Sequence, residues 1–90
     1  MSIEFAKSLS GHDRNQIYLI KEKDEKFVCL VNGITKTLAT PKKKSLKHIQ
    51  VIKKLPIEIT ACLEESLTDV SVKRAIKIYQ KFINQKQEDL

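Results

Sequence analysis

A chain of 90 residues, of which 41% are apolar and 31% charged, suits one compact domain or a small module with an appendage, and this composition excludes wholesale disorder. Residues 1–56 hold 12 Lys and Arg against 5 Asp and Glu, a net charge of +7, and residues 57–90 hold 5 against 6, a net charge of −1. A basic excess confined to one half favours a polyanionic partner. No apolar run approaches the roughly 18 residues of a membrane span, so we expect a cytoplasmic protein that does not bind membranes.

Residues 1–56 predict five short strands separated by turns. The strands are expected at residues 3–8, 16–20, 27–31, 34–38 and 48–52. Polar residues 10–15 and charged residues 21–26 are predicted turns, and residues 42–47 are predicted to form a basic loop after Pro41, which has no N–H to donate to a neighbouring strand. Five short strands in this space favour a small SH3-like β-barrel.

The dipeptide Asn32–Gly33 is the strongest local signal of a turn in the chain. Both residues tolerate the positive φ that a two-residue type I′ hairpin requires. The pattern therefore predicts a tight hairpin that joins strand 27–31 to strand 34–38.

Residues 57–90 predict helices instead of strands. Ile59, Cys62, Leu63 and Leu67 are spaced for one face of a short helix, although residues 57–59 could also extend a strand. Thr68 or Asp69 is expected to cap a longer helix, whose apolar stripe consists of Val72, Ala75, Ile76, Tyr79, Phe82 and Ile83. We therefore divide the chain into a barrel over residues 1–56 and a helical extension over residues 57–90, and we expect the extension to pack on the barrel because a lone amphipathic helix is marginal in water.

The sequence offers little to a catalytic or metal site. His12 and His48 lie in polar or basic surroundings, and no nucleophile and base are fixed near each other by local spacing. Cys29 and Cys62 lie in apolar settings and are expected to be buried free thiols. We therefore expect no enzymatic activity, no metal and no cofactor.

Lysines are concentrated between residues 42 and 54, where six occur without an acidic residue. Ammonium groups hold phosphates as point charges and fix the position of a nucleic acid without reading its bases. A solvated loop is the plain alternative for such a run. We expect the replacement of Lys42, Lys43 and Lys44 by Ala to weaken binding to all RNAs without changing the fold.

Three segments together resemble a known family. Residues 7–14 (KSLSGHDR), residues 31–33 (VNG) and residues 41–48 (PKKKSLKH) are similar to segments of the bacterial KOW-domain proteins, which in turn resemble the large-subunit ribosomal proteins of archaea and eukaryotes that carry this domain. The resemblance covers residues 3–54 and continues into residues 68–76. The basic segment is its most specific part.

The resemblance implies an SH3-like KOW barrel that binds RNA through the loop after the first strand and through the lysine-rich segment. Carried over by position, the implied RNA-binding residues are Lys7, Gly11, His12, Arg14, Lys36, Lys42, Lys43, Lys44, Lys47 and His48. The KOW turn usually has glycine at the position of Asn15 and a basic residue at the position of Gln16. Asn tolerates a left-handed backbone, so the turn can survive, but the missing charge at Gln16 puts more weight on residues 42–48.

We therefore expect a non-catalytic protein that binds structured RNA, with ribosomal RNA as the main candidate. Ribosomal proteins are further expected partners. A second hypothesis is a KOW-type protein-interaction module that contacts the transcription or translation machinery. Its discriminating feature would be an exposed apolar patch on the barrel or along Tyr79 and Phe82. A third hypothesis is DNA binding without sequence specificity.

Overall fold

A computed structural model describes residues 3–88 and shows a sheet of five strands followed by two helices. The elements are β1 Phe5–Ser8, β2 Ile17–Lys23, β3 Phe27–Val31, β4 Lys42–Ser45, a 3₁₀ turn Leu46–His48, β5 Ile49–Ile52, α1 Ile57–Glu65 and α2 Asp69–Glu88. This order confirms the predicted succession of five strands, a short helix and a longer helix, although the fourth strand is not the predicted one.

The strands form one antiparallel sheet in the order β4-β3-β2-β1-β5. β4 and β5 lie at opposite edges of this sheet, yet only the 3₁₀ turn Leu46–His48 separates them in the chain. That turn is bonded to both sides of the sheet: the N–H of Leu46 donates to the carbonyl of Lys26 at 2.9 Å, and the carbonyl of His48 accepts from Leu9 at 2.8 Å. The sheet is therefore strongly curled, although its strand order is open.

Both faces of the curled sheet are apolar because alternate side chains of a strand point to opposite faces. Ala6, Tyr18, Val28, Leu30 and Ile49 form a buried cluster on the inner face. The outer face contributes Phe5, Ile17, Leu19 and Val31 to a second cluster, which the helices complete with Ile59, Leu63, Val72, Ala75, Ile76 and Tyr79. The helices and the sheet thus share a core.

α2 packs on the sheet through the predicted stripe. Val72 and Ala75 are fully buried, and the ring of Tyr79 meets that of Phe5 edge to face with centroids 5.5 Å apart. Thr68 caps the helix: its Oγ1 accepts from the N–H of Ser71, whose Oγ in turn accepts from the N–H of Thr68. This reciprocal pair satisfies N–H groups that a helix start leaves open.

The predicted hairpin at Asn32–Gly33 and the predicted strand over residues 34–38 are wrong. Gly33 has the expected positive φ of 78°, but Asn15 is the only non-glycine residue with positive φ among those described, so no type I′ turn forms. The side-chain oxygen of Asn32 instead accepts from the N–H groups of Ile34 and Lys36 at 2.9 and 3.0 Å. Residues 32–41 therefore form a loop.

Contacts with α2 prevent residues 34–38 from forming a strand. The N–H of Leu38 donates to Asp69 Oδ1 at 2.8 Å. Gly33 lies so close to the helix that an added Cβ would collide with the carbonyl oxygen of Asp69 and lie 2.9 Å from the nitrogen of Lys73. The loop is therefore fixed to the start of α2 by the hydrogen bond of Leu38 and by the close packing of Gly33.

The fourth strand is Lys42–Ser45, which lies in the segment predicted as a basic loop. Three consecutive lysines disfavour a strand, so this element depends on its surroundings. It pairs antiparallel with β3, with Lys42 opposite Leu30, Lys43 opposite Cys29 and Lys44 opposite Val28. β2 also extends further than predicted, through Lys23, so the turn to β3 is shorter than residues 21–26.

Candidate nucleic-acid interface

The loop between β1 and β2 is a compact turn with two left-handed residues, Gly11 at φ 89° and Asn15 at φ 74°. The N–H of Asn15 donates to the carbonyl of Ser8 at 2.8 Å, and the N–H of Gln16 donates to the carbonyl of Asp13 at 2.9 Å. Asn is among the residues that adopt this conformation at low cost. The turn therefore forms with asparagine at this left-handed position.

Asp13 is the centre of a buried polar network at one end of the sheet. Its carboxylate accepts from Ser8 Oγ at 2.9 Å, from Tyr18 Oη at 2.8 Å and from the Nζ atoms of Lys42 and Lys44 at 2.8 Å each. Lys44 donates its two remaining protons to Ser8 Oγ at 2.7 Å and to the carbonyl of Ser10 at 2.8 Å. The network therefore joins the turn to β4 across about 30 residues of sequence.

The network sets the ionisation of its members. Burial alone would raise the pKa of Asp13, but hydrogen bonds from Lys42, Lys44, Tyr18 and Ser8 outweigh that effect and hold the pKa far below the ordinary 3.8. Burial and the hydrogen bond to the Asp13 carboxylate raise the pKa of Tyr18 well above its ordinary 10. Asp13 is thus a carboxylate, and Tyr18 a phenol, at every physiological pH.

Strand geometry divides the predicted lysine cluster. Lys42 and Lys44 point to the inner face of the sheet and bind Asp13, whereas Lys43 points to the outer face, where its Nζ lies 4.5 Å from the centre of the Phe27 ring. Lys44 has no proton left for a phosphate because an ammonium group has three donors. Lys42 keeps donors available, since 31% of its side chain is exposed.

Five predicted residues come together beside this network. The bond between the Leu9 N–H and the His48 carbonyl holds the turn against the 3₁₀ turn Leu46–His48. We define the turn surface as the exposed residues that the two segments contribute: Gly11, His12, Arg14, Lys47 and His48. Two of them, Arg14 and Lys47, carry a full positive charge at neutral pH.

Two other predicted residues lie elsewhere. Lys7 faces α2 on the outer side of the sheet, where it lines a hollow together with Asn15 and Gln50. Lys36 belongs to the loop over residues 32–41, which is anchored on the start of α2. The ten predicted RNA-binding residues therefore do not form a single continuous patch.

The hydroxyl of Ser8 is not an accessible nucleophile. Ser8 accepts a hydrogen bond from Lys44 at 2.7 Å, a pairing found in some nucleophilic sites, but Ser8 is fully buried, so no substrate carbonyl can reach its hydroxyl. Among the side chains that the structure describes, those of residues 3–84, no three His, Cys, Asp or Glu are grouped to hold a metal ion. Cys29 and Cys62 are free thiols and are half-buried, not buried as expected.

Sequence reasoning missed the structural role of Asp13. The sequence does contain a sign of this role. Asp13 is the one acidic residue of a basic turn, and Lys42 and Lys44 occupy alternate positions of a later strand. Recognising residues 42–45 as a strand would have placed Lys42 and Lys44 on the same side. It also missed the amide side chains of Gln50, Gln80 and Asn84, which line a groove beside α2.

Within the described part of the chain, neither helix is both long and apolar enough to cross a lipid bilayer. Comparisons with protein-family models and with curated proteins find no match for this chain. The resemblance to KOW proteins stays a prediction from the sequence.

Proposed function

We propose that the chain is a non-catalytic, cytoplasmic RNA-binding protein that holds structured RNA, with ribosomal RNA as the first candidate. In this proposal the turn surface contacts phosphates and ribose hydroxyls, which are the features that proteins read in RNA helices. The protein would act on the ribosome or in association with it, where ribosomal proteins would be its neighbours.

The observation that carries the proposal is the meeting of two distant segments. The turn around Gly11 and the basic segment after Pro41 are the parts that the KOW resemblance assigns to RNA. The Asp13 network and the Leu9–His48 hydrogen bond hold them side by side. Because Asp13 is neutralised internally by two lysines, its carboxylate does not offset the charges of Arg14 and Lys47.

We also propose that the curled sheet is an SH3-like barrel of the KOW type. The strand order places β4 and β5 at opposite edges, and a 3₁₀ turn of three residues connects them. Such a short connection needs the two edges to approach each other, because three residues span only about 10 Å. The inner apolar cluster around Tyr18 and Leu30 would fill the barrel.

The alternative of a protein-interaction module has less support. It called for an exposed apolar patch on the barrel or along Tyr79 and Phe82. Phe82 is exposed, but Tyr79 is buried against Phe5. Other exposed apolar side chains belong to separate elements, among them Leu9, Ile34 and Ile57. Single exposed apolar residues are normal on a protein surface.

A binding measurement with matched variants tests the proposal. We expect Arg14→Gln combined with Lys47→Gln to weaken binding of a structured ribosomal RNA fragment by about tenfold or more, because two phosphate contacts are lost. The control is Arg74→Gln combined with Lys81→Gln, which removes one Arg and one Lys from exposed positions on α2. Equal weakening by both pairs would mean that only the total charge matters, and it would contradict the proposed surface.

Crosslinking in cells, followed by sequencing of the bound nucleic acid, tests the class of partner. We expect ribosomal RNA to dominate the recovered material. Recovery of DNA as the main partner would instead favour the third hypothesis and overturn the RNA assignment.

A further inference from the structure

α2 and the outer face of the sheet line an open groove with polar and apolar walls, which the turn surface does not include. It consists of two adjoining hollows of about 610 and 210 Å³, which share Ile17 and Gln80 in their walls. One side comes from the sheet and the turn, with Lys7, Asn15 and Gln50. We call this feature the amide groove.

The helical side of the amide groove is a regular stripe. Lys73, Lys77, Gln80 and Asn84 recur at i, i+4, i+7 and i+11, so they lie along one flank of α2. All four are exposed, and the buried residues Ile76 and Tyr79 lie beneath them. The stripe runs for about 16 Å, because a helix rises 1.5 Å per residue.

The charged side chains among the described residues that line the groove are all basic. Among the described residues that line it, none has a carboxylate side chain. Among residues 3–84, whose side chains the structure describes, the ion pairs involve Lys23, Lys42 and Lys44, so the charges of Lys7, Lys73 and Lys77 remain available to a ligand. A polyanion is therefore the complementary ligand.

The amides narrow the chemistry of that ligand. Each Asn or Gln side chain offers two donor protons and an acceptor oxygen, which matches a ribose 2′-hydroxyl or the edge of an unpaired base. A merely solvated helix flank would account for Gln80 and Asn84. It would not account for Gln50, which presents the same groups from β5 across the groove. Asn15, which adopts the positive φ of the turn, adds a further amide on that side.

We propose that the amide groove binds a single-stranded segment of the same RNA that the turn surface holds. Asn15 belongs to the turn and also lines the groove, so one strand can pass from Arg14 into the groove without leaving the protein. The lysines contact its phosphates, and the amides contact its 2′-hydroxyls and base edges. The inference rests on the proposed RNA binding and adds the form of RNA that is bound.

Gln80→Glu tests the groove, using a short oligouridylate as the probe. The new carboxylate repels phosphates and removes an amide donor, so we expect affinity to fall about tenfold. Lys81→Gln is the matched control, because it lowers the net charge by the same single unit at an exposed position of the same helix outside the groove. Its effect should stay below about twofold.

The pattern of results separates the two proposals. A wild-type protein that binds no RNA would overturn both. If Arg14→Gln with Lys47→Gln abolishes binding while Gln80→Glu matches Lys81→Gln, the turn surface stands and the groove is wrong. Equal wild-type affinity for oligouridylate and its deoxy counterpart would also overturn the groove, since its amides are assigned to 2′-hydroxyls. Binding of an acidic peptide in the groove, with no binding of oligouridylate there, would also overturn the groove proposal.

The dependence of RNA affinity on salt concentration is a second, independent test of the groove. Arg14 and Lys47 alone predict a slope of log affinity against log salt of about −1 to −2 for single-stranded RNA, whereas adding Lys7, Lys73 and Lys77 predicts about −3 to −4. A slope in the shallower range would contradict the participation of the groove lysines.

Discussion

Two loops of this molecule each use a glycine with positive φ, but different forces hold them. The loop between β1 and β2 is fastened by charge, because Asp13 binds Lys42 and Lys44. The loop over residues 32–41 is fastened by close backbone contact, because Gly33 lies directly against the first turn of α2. The first arrangement joins two segments that we assign to RNA, and the second docks the helix that forms one side of the amide groove.

Some lysines of this protein stabilise the fold, whereas others are available to a ligand. Lys44 uses all three of its protons within the network. Replacement of Lys42, Lys43 and Lys44 together, which from the sequence should leave the fold intact, would therefore remove both partners of a buried carboxylate. A loss of RNA binding in that variant would not distinguish contact from stability.

The largest effect is expected from Asp13→Ala. It leaves Lys42, Lys44 and the Tyr18 hydroxyl without their shared acceptor, and we expect the free energy of unfolding to fall by about 3 kcal/mol. Chemical denaturation measures this change. The matched control is Asp24→Ala at an exposed carboxylate of the β2–β3 turn, where the loss should be much smaller. Equal losses would show that the network contributes nothing specific.

Gly33→Ala should cost about 2–3 kcal/mol, from backbone strain and from the collision with α2. Gly11→Ala is the control, because Gly11 also has positive φ but its added Cβ would meet only side-chain atoms at 3.5 and 3.8 Å. We expect about 1 kcal/mol there. Thermal unfolding midpoints that fall equally in the two variants would contradict the close contact between the loop and α2.

Lys44→Met and Lys43→Met compare an inward with an outward lysine of the same strand. The first leaves the Asp13 carboxylate with one cationic partner and should destabilise the protein by about 2 kcal/mol. The second removes an exposed contact with the Phe27 ring, and its cost should stay below about 1 kcal/mol. A larger loss for Lys43→Met would mean that the assignment of lysines to the two faces is wrong.

Low pH should weaken the stabilisation that the Asp13 network provides. The folded pKa of Asp13 is depressed, so its contribution to stability is complete above the unfolded pKa near 3.8 and is lost as the pH falls below that value. Between pH 5 and pH 3 we expect a loss of about 1 kcal/mol from this residue. The difference between wild type and Asp13→Asn isolates it from other carboxylates, and parallel pH profiles of the two proteins would refute the coupling.

The sequence was sufficient for features that depend on local chemistry. Alternating and β-branched runs located β2, β3 and β5, and the spacing of Val72, Ala75, Ile76 and Tyr79 located the buried face of α2. The tolerance of Asn15 for a left-handed backbone was also predicted correctly. Each of these features is decided within a few residues of sequence.

Features that depend on contacts between distant residues could not be predicted from local sequence. Asn32–Gly33 has the composition of a hairpin, but the position of α2 against Gly33 decides the shape of the loop. Three lysines in a row have the composition of a solvated loop, but pairing with β3 and the carboxylate of Asp13 make them a strand. The candidate site was therefore located by segment, while the roles of its individual lysines required the structure.

The central claim is that RNA binds at the turn surface, and a titration of isotope-labelled protein with a ribosomal RNA fragment tests it most directly by NMR. We expect the largest amide shifts at Gly11, His12, Arg14, Lys47 and His48, with smaller shifts at Gln80 and Asn84. Shifts confined to α1 or to the turn between β2 and β3, with none at Gly11 or His48, would contradict it.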